Sequence, residues 1–251
     1  IVLLRDRAGN DFSQYKTNTI YRRIERRISV HSIANIDGYV RYLRENPVEL
    51  DLLFKELIIG VTNFFRDPDV WESLLTDSIP ALLARYPKGQ ALRAWVCACS
   101  TGEEAYSLAM LFKDVLSEQK PEARFTLQIY ATDLDLDAIE TARKGFYPAN
   151  IAADVSAERL SRYFTPEDGG GYRITKEIRD MVVFATQNII TDPPFTKLDI
   201  LTCRNLLIYF SAQIQKRLIP LFHYALNREG LLVLGSAETV GNFGHLFAPT
   251  K

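Results

Sequence analysis

The stretch Arg93-Ala-Trp-Val-Cys-Ala-Cys-Ser-Thr-Gly-Glu-Glu-Ala-Tyr-Ser-Leu-Ala-Met110 decides the fold. Its apolar start at 92–99 predicts a buried strand, and the small residues at 100–102 predict a tight turn. The two carboxylates that follow predict the first turn of a helix. A second apolar strand, 126–132, leads directly to Asp133. Strand, small-residue turn, helix and a second strand with a terminal acid are typical of a doubly wound nucleotide-binding unit.

The composition of the turn argues against a phosphate ligand. Phosphate-binding loops carry several glycines or a lysine, because backbone N–H groups and a cation must approach the phosphate. Here the turn has one glycine, Gly102, and continues into Glu103 and Glu104, which repel phosphate. An acid in the position of Asp133 suits ribose hydroxyls. We therefore expect S-adenosyl-L-methionine, which has a ribose and carries ammonium and sulfonium charges.

Length and composition fit one sizeable domain with a smaller companion. The chain has 251 residues, of which 47% are apolar and 24% are charged. The sequence lacks an apolar run of the roughly 20 residues that a membrane span needs, so we expect no membrane insertion. The three cysteines lack a second Cys/His pair, so we expect no metal site and buried thiols in a reducing cytoplasm. The abrupt ends suggest a piece of a longer protein.

The first 70 residues predict a helical domain with a basic helix. After an opening strand-like Ile1–Leu4, the expected helices are Thr17–Ser29, Ile36–Glu45 and Pro47–Ile59. Residues 1–30 hold seven Arg or Lys against three Asp or Glu, a net charge of +4. Most of that charge falls on one face of the first helix, at Arg22, Arg23, Arg26 and Arg27, opposite Ile20, Ile24 and Ile28.

This arginine face has two interpretations. Charge runs are usually solvated surface, but four arginines with one intervening acid also fit a docking surface. We expect no nucleic-acid partner, because the chain has a net charge of −1 and the basic area is small. An acidic protein surface is the better match.

Residues 71–251 alternate between helices and strands, which predicts a mainly parallel sheet with helices on both faces. The expected helices are 70–84, 103–116, 136–144 and 212–226, and the expected strands are 92–99, 126–132, 182–185, 200–203 and 231–234. An insertion at about 146–181 predicts a small β subdomain. Its short strands are expected at Leu160–Phe164, Tyr172–Thr175 and Met181–Phe184, with Gly169-Gly-Gly171 turning between the first two.

The motif Asp192-Pro-Pro-Phe195 matches a signature of amino-methylating enzymes, in which it directly follows the fourth strand. Here it precedes that strand, which continues instead into Cys203-Arg-Asn-Leu-Leu-Ile-Tyr-Phe210. We interpret Asp192–Phe195 as a turn made by two prolines.

Four motifs in order resemble the chemotaxis receptor methyltransferases (CheR). They are Val61-Thr-Asn-Phe-Phe-Arg66, Ser100-Thr-Gly-Glu-Glu104, Ala131-Thr-Asp-Leu-Asp135 and Cys203–Phe210. The resemblance covers nearly the whole chain. It implies a small helical domain, a Rossmann-like S-adenosylmethionine-dependent methyltransferase domain and a small antiparallel β subdomain. It also implies methyl transfer to glutamate side chains of membrane-bound chemoreceptors, with S-adenosyl-L-homocysteine as the second product.

The resemblance also implies site residues. Thr62 and Arg66 correspond to linker residues that close over the cofactor, Glu104 to the partner of its ammonium, and Asp133 to the ligand of its ribose. Tyr209 corresponds to a tyrosine near the transferred methyl and, with Arg66, is the catalytic candidate. The remaining cofactor candidates are Asn188 and Ile189 along the adenine and Cys203 and Arg204 at the end of strand four. Gly60 departs from the family, which often carries a polar residue there.

Two other functions remain open on sequence grounds: a catalytically silent S-adenosylmethionine-binding signalling module, and a nucleic-acid methyltransferase.

The expected partners are the cytoplasmic helices of the receptors, docked on the arginine face. Some relatives also bind a pentapeptide tether at the receptor C-terminus through the β subdomain. The loop Thr165–Gly171 is shorter here and carries Glu167 and Asp168, so we expect an enzyme that does not need the tether.

Overall fold

The computed structural model describes residues 1–58, 60–119 and 124–250. The chain divides into two compact units. We call Ile1–Ile59 with Leu207–Leu218 the helical unit, and Gly60–Leu206 with Ile219–Lys251 the sheet unit. Among the described residues, none of the helices is both long and apolar enough to cross a bilayer.

The helical unit is built on four helices: α1 (Val2–Ala8), α2 (Thr17–Val30), α3 (Ile36–Glu45) and α4 (Pro47–Leu57). Two local signals set their starts. The Asn35 side chain accepts a hydrogen bond from the Gly38 N–H and caps α3, and Pro47 occupies the first turn of α4, where its missing N–H costs nothing. The predicted helices are confirmed to within one or two residues where the chain is described; residue 59 lies outside the described residues.

The strand-like opening was the wrong interpretation of Ile1–Leu4. Ile1 is the N-cap residue of a helix, α1, which begins at Val2 and ends where Gly9 adopts a left-handed φ of 70°. Leu4 packs in the core of the helical unit, so a short apolar run here is the buried side of a helix. The fully buried members of that core are Leu4, Phe12, Ile20, Tyr39, Leu43, Leu50, Leu53 and Leu57.

The sheet unit contains a five-stranded parallel sheet in the order β6-β2-β1-β7-β8. Its strands are β1 (Ala91–Cys97), β2 (Thr126–Asp133), β6 (Val182–Thr186), β7 (Leu198–Cys203) and β8 (Leu226–Leu234). The helices of this unit are α5 (Pro68–Ser73), α6 (Ile79–Ala84), α7 (Glu103–Gln119), α8 (Leu136–Lys144), α9 (Ala157–Tyr163) and α10 (Lys176–Arg179). Helix α11 (Ala212–Ala225) belongs to the helical unit up to Leu218 and to the sheet unit from Ile219. The parallel sheet predicted from the strand–helix alternation is confirmed. The strand order reverses between β1 and β7, and ligands of such sheets bind at this switch point.

The small β subdomain is an antiparallel sheet of three strands in the order β3-β5-β4. The strands are β3 (Phe146–Tyr147), β4 (Phe164–Pro166) and β5 (Tyr172–Ile174). Two of its predicted strands were wrong. Leu160–Tyr163 belongs to α9, started by the Ser156 cap, and 182–184 belongs to β6 of the main sheet. Phe146–Tyr147, directly after the Gly145 turn, takes the missing place.

Several boundaries also differ from the sequence interpretation; for example, β8 begins at Leu226 and not at 231, and α7 extends to Gln119 and not to 116. The helix expected over 70–84 is continuous but contains a π-helical segment, Leu74–Ser78, between α5 and α6. Strand β1 ends at Cys97 and not at Cys99, because Ala98 has a left-handed φ of 54° and turns the chain. The turn that follows β1 lies at the switch point.

Candidate cofactor site

The turn between β1 and α7 has a strained backbone. Ala98 and Ser100 adopt left-handed φ angles of 54° and 49°, and Gly102 follows at 95°. A Cβ on Gly102 would lie 2.8 Å from the Ala142 Cβ, so the position needs glycine for space as well as for conformation. Left-handed conformations of non-glycine residues cost about 1–3 kcal/mol each and cluster at ligand sites. The strained backbone makes this turn a candidate binding element.

Asp133 ends β2 and holds this turn. Its Oδ2 accepts a hydrogen bond of 2.8 Å from the Ser100 N–H, and its Oδ1 accepts one of 2.9 Å from the Asp135 N–H. Burial raises the pKa of Asp133, while the backbone donors act in the opposite direction. A carboxylate has about four acceptor positions, so the two bonds leave capacity for ribose hydroxyls.

Glu104 lies in the first turn of α7, where an acid is stabilised by the helix N-terminus. Its Oε1 accepts a hydrogen bond of 2.6 Å from the Thr202 hydroxyl, and its Oε2 accepts one of 3.2 Å from Arg204 Nη1. Burial raises the pKa of Glu104, and the Arg204 cation opposes that effect. Glu104 thus presents a partly buried carboxylate that suits an ammonium group.

Arg204 follows β7 and is committed to protein partners. Besides Glu104, its Nη2 donates to the Arg66 carbonyl at 2.6 Å and to Asp67 Oδ2 at 2.9 Å. Its guanidinium also lies 5.4 Å from the ring centroid of Trp71, and the side chain is 1% exposed. Arg204 therefore connects α7, through Glu104, to Arg66 and Asp67. Its side chain is not available to orient a substrate carboxylate.

Residues 61–67, which we call the linker loop, carry Thr62 and Arg66. Phe64 and Phe65 are buried and fix the middle of the loop, and the Phe65 N–H donates to Ser107 Oγ at 3.0 Å. The Arg66 guanidinium donates to the Val61 carbonyl at 3.0 Å, which folds the loop back on itself. Thr62 and Arg66 are half-buried, so both can contact a ligand at the surface of the sheet unit.

Asn188 and Ile189 follow β6 in a turn held by Asp192. The Asp192 carboxylate accepts the Asn188 N–H at 2.8 Å, and the Asp192 N–H donates to the Asn188 carbonyl at 2.9 Å. Phe195 stacks on Tyr130 at 4.5 Å between ring centroids. Asp192–Phe195 lies ahead of β7 without helix or strand, but the hydrogen-bonded turn precedes the prolines, at Asn188 to Asp192, so the interpretation of a turn made by two prolines is not confirmed. Asp192 shapes the segment expected along the adenine.

Cys203 is the last residue of β7 and is fully buried opposite Cys97 of β1. The three cysteines are free thiols. Within the described part of the chain, no group of three or more His, Cys, Asp or Glu side chains could hold a metal ion.

The structure does not place Tyr209 in the sheet unit. It belongs to the helical unit, in a short 3-10 turn at Leu207–Tyr209, and its carbonyl accepts a hydrogen bond of 2.8 Å from the Lys16 N–H. Next to it, Phe210 pairs with Tyr15 as an antiparallel bridge, with their rings 4.9 Å apart. The other candidate residues all belong to the sheet unit: Thr62, Arg66, Glu104, Asp133, Asn188, Ile189, Cys203 and Arg204.

The four arginines of α2 are not equivalent. The expectation that all four form one exposed docking face is therefore wrong. Arg27 donates to both oxygens of the buried Glu49, which also accepts from Tyr39 and contacts His31. Arg27 is therefore a structural residue of the helical unit. Arg23 and Arg26 share the Glu56 carboxylate at 3.3 and 3.0 Å, so part of their charge is neutralised.

Arg22 is exposed and donates to the Asn18 carbonyl one turn earlier in α2. Its charge is not matched by a carboxylate among the ion pairs of the described residues. Of the four arginines predicted for docking, Arg22 and the exposed Arg26 present the most accessible cations.

Sequence reasoning missed Glu238, which follows β8. Its Oε2 accepts the Asn205 N–H at 2.9 Å and the Gly235 N–H at 2.8 Å, and Asn205 has a left-handed φ of 58°. Glu238 thus holds the turn after Arg204. The rule that sites lie at the carboxyl ends of parallel strands could have identified it, because Gly235-Ser-Ala-Glu238 directly follows the fifth strand.

The donor set fits S-adenosylmethionine. Two carboxylates, the buried Asp133 and the partly buried Glu104, lie at the ends of elements that meet at the switch point, and the connecting turn lacks a phosphate cradle. This fold and this acidic site define a Rossmann-like S-adenosylmethionine-dependent methyltransferase domain.

Comparison with known proteins identifies the family. Residues 60–251 match the CheR methyltransferase, SAM binding domain, and residues 1–58 match the CheR methyltransferase, all-alpha domain. The chain belongs to the CheR methyltransferase family, and S-adenosylmethionine is its cofactor.

Individual relatives differ in length. The chain is 44% identical over 230 residues to a 104.1 kDa protein of Rhodobacter capsulatus, covering 92% of this chain and 24% of that protein. It is 32% identical to the chemotaxis protein methyltransferase of Escherichia coli, covering 97% of this chain and 83% of the relative. It is 31% identical to chemotaxis protein methyltransferase Cher2 of Pseudomonas putida, covering 95% and 88%. The chain thus spans about a quarter of one relative and most of the other two.

Proposed function

We propose that this chain transfers a methyl group from S-adenosylmethionine to glutamate side chains of methyl-accepting chemotaxis receptors, as a protein-glutamate O-methyltransferase. The observation that carries the proposal is that both CheR domains, the all-alpha domain and the SAM binding domain, match in sequence over residues 1–58 and 60–251. The names of the Escherichia coli and Pseudomonas putida relatives support a role in chemotaxis.

A glutamate substrate suits the chemistry of these residues. A carboxylate with a pKa near 4.3 is already ionised at neutral pH, so the reaction needs no general base. When bound, S-adenosylmethionine supplies the methyl, and a carbon–oxygen bond to the glutamate forms as the carbon–sulfur bond breaks. The histidines have other contacts: His31 bonds Glu49, and His223 and His245 lie against Phe247 and Phe243.

The site residues have distinct proposed roles. Glu104 holds the ammonium of the cofactor, Asp133 its ribose, and Asn188 and Ile189 its adenine. Arg66 of the linker loop pairs with the cofactor carboxylate, and Tyr209 positions the reacting groups. Opposite charges neutralise each other during transfer, so closing Thr62 and Arg66 over the site to exclude water favours the reaction.

The proposed partners are the cytoplasmic helices of the receptors, which places the reaction in the cytoplasm. The exposed arginines of α2, Arg22 and Arg26, supply positive charge for acidic, glutamate-bearing helices.

The β subdomain is proposed not to need a receptor tether. The negative charge of its loop, Thr165–Gly171, is smaller than the sequence suggests, because Glu167 forms an ion pair with Arg173. A pentapeptide tether should give no measurable heat on titration, and a low-micromolar isotherm would refute tether independence.

Transfer of tritium from labelled cofactor tests the function. We expect base-labile label on a receptor protein in receptor-containing membranes and none in RNA. An Asp133→Ala variant serves as the site control. Tight cofactor binding without transfer to receptor would instead support a silent cofactor-binding module, and label in RNA would support a nucleic-acid methyltransferase.

A further inference from the structure

We propose that Arg159, in the inserted segment between β3 and β4, is a positioning residue for cofactor binding that acts through Phe65 on the linker loop. The proposal rests on the proposed roles of Thr62 and Arg66, which flank Phe65 in that loop. Its basis is one contact: the Arg159 guanidinium lies 4.2 Å from the centroid of the Phe65 ring. This distance is well within the range of a cation–π interaction.

Phe65 needs external support for its conformation. Its φ is 51°, in the left-handed region, which is a clear outlier for a bulky residue. Such a conformation persists when the surroundings hold it in place. Three contacts do so: the N–H donates to Ser107 Oγ at 3.0 Å, the ring meets the Trp71 ring edge-on at 5.6 Å, and Arg159 covers the ring.

Arg159 is itself held in a fixed orientation. Its Nε donates to Asp114 Oδ2 at 2.9 Å, and the Tyr163 hydroxyl donates to the other oxygen of Asp114 at 2.5 Å. Asp114 lies on α7 and is buried, while the Arg159 side chain is 23% exposed. A guanidinium fixed at its edge by a carboxylate presents its flat face to a neighbour, and that neighbour is Phe65.

Residues of β3 and of the inserted segment also contact the linker loop elsewhere. Asn63 Nδ2 donates to Asp154 Oδ1 at 3.3 Å, and the Phe64 ring meets the Tyr147 ring edge-on at 4.8 Å. Residues 61–67 contain neither helix nor strand, so side-chain contacts of this kind determine where Thr62 and Arg66 lie. Among these contacts, Arg159 contributes the positive charge. It contacts Phe65, the residue that directly precedes Arg66.

Arg162 provides a matched control on the same helix. Its Nη1 lies 3.5 Å from Asp114 Oδ1, and its guanidinium lies 5.1 Å from the Tyr163 ring centroid. Removing Arg162 therefore weakens the Asp114 ion-pair cluster without removing the cation over Phe65. A purely structural role for the cluster predicts similar effects from Arg159→Met and Arg162→Met.

The test measures binding of S-adenosylhomocysteine to the full chain by calorimetry, with hydrogen exchange at the Phe65 amide as a second readout. Arg159→Met should raise the dissociation constant about five-fold, as expected for one lost cation–π contact. It should also speed exchange at Phe65. Arg162→Met should leave both unchanged, and Arg159→Lys should recover part of the affinity because it keeps the charge.

A double-mutant cycle separates action through the loop from a general loss of stability. In an Arg66→Ala background, Arg159→Met should change the dissociation constant less than about two-fold, because coupled residues are not additive. Additive effects, or equal effects of Arg159→Met and Arg162→Met, would overturn the proposal. The assay needs no receptor, so a failure of the proposed glutamate methylation would appear in the tritium-transfer experiment and not here.

Discussion

Arg204 and Glu104 form a buried ion pair across the switch point of the sheet, with 3.2 Å between Arg204 Nη1 and Glu104 Oε2. The arginine side chain is 1% exposed and the glutamate side chain 14% exposed. Removing one member of such a pair leaves a buried charge without a partner, which costs about 3–5 kcal/mol.

Arg204→Met should therefore lower the free energy of unfolding by about 3–5 kcal/mol, measured by urea denaturation. Arg85→Met is the control, because Arg85 is exposed and its pair with Glu229 is long, at 3.7 Å. We expect that control to lose about 0–1 kcal/mol. Adding Glu104→Gln to Arg204→Met should restore part of the stability. Equal losses in the two arginine variants would contradict the buried pair.

Asp133→Ala should weaken binding of S-adenosylhomocysteine by on the order of 1.5–3 kcal/mol, because it removes the charge-assisted hydrogen bonds that we propose between Asp133 and the ribose. It also leaves the Ser100 and Asp135 N–H groups without their acceptor, so stability falls as well. Asp135→Ala is the matched control: it removes the cap of α8 and leaves Asp133 in place. Calorimetry showing the same affinity in both variants would remove Asp133 from the site.

Tyr209→Phe should lower turnover with little change in cofactor affinity, because the proposed role of the hydroxyl is in the transfer step. Tyr224→Phe is the control, since Tyr224 is 72% exposed. Turnover and affinity are measured separately, by tritium transfer and calorimetry. A parallel fall in both would mean that Tyr209 is a structural residue of the helical unit.

Arg22→Glu should raise the Michaelis constant for receptor and leave cofactor binding unchanged, because it reverses an exposed charge on α2. Changing Arg23 and Arg26 together to Glu should raise it too, but it also places two carboxylates next to Glu56 and destabilises the helical unit. Arg41→Glu makes the same charge change on α3 and should have a smaller effect. The wild-type Michaelis constant should rise with salt, since screening acts over about 10 Å at 0.1 M. A salt-independent value would count against electrostatic docking.

Glu49 predicts a pH dependence of stability. Burial alone raises the pKa of a carboxyl, but hydrogen bonds from Arg27, Tyr39 and His31 lower the pKa of Glu49 to about 2. Because the folded pKa lies below the unfolded value, the stabilisation is complete above about pH 4.5 and is lost as the pH falls toward 2.

The shift corresponds to on the order of 3 kcal/mol. In Glu49→Gln, stability should change less between pH 4.5 and 2 than in the wild type, as followed by thermal unfolding. Asp51→Asn on the same helix is the control, because Asp51 forms an exposed pair with Arg7. An unchanged pH profile in Glu49→Gln would show that this carboxyl does not govern the acid sensitivity.

Local patterns predicted the sheet and most helices because each signal is encoded within a few residues. Asn35 and Pro47 set helix starts, the apolar run of β7 is buried throughout, and those of β1 and β2 are mostly buried. The same patterns failed in the insertion, where strands of two or three residues are too short for a periodicity. There the Ser156 cap and pairing with β5 decide the structure.

The candidate site was predictable where chain position alone places a residue at the edge of the sheet, as for Glu104 and Asp133. Contacts between distant residues were not. Charge counting identified four arginines on α2 but not that Glu49, 22 residues beyond Arg27, binds one of them. Similarly, the sequence identifies Arg204 as a site residue but cannot show that Asp67 and Glu104 occupy its guanidinium.

The burial of the cysteines makes this protein convenient for fluorescence spectroscopy. The chain has three cysteines, all buried, and burial raises the pKa of Cys97 and Cys99. Such thiols react slowly with maleimides. Val61 is 75% exposed at the start of the linker loop, and it accepts the Arg66 hydrogen bond through its backbone carbonyl. Val61→Cys would therefore give a single fast-reacting attachment point, from which a dye can report loop movement as cofactor binds.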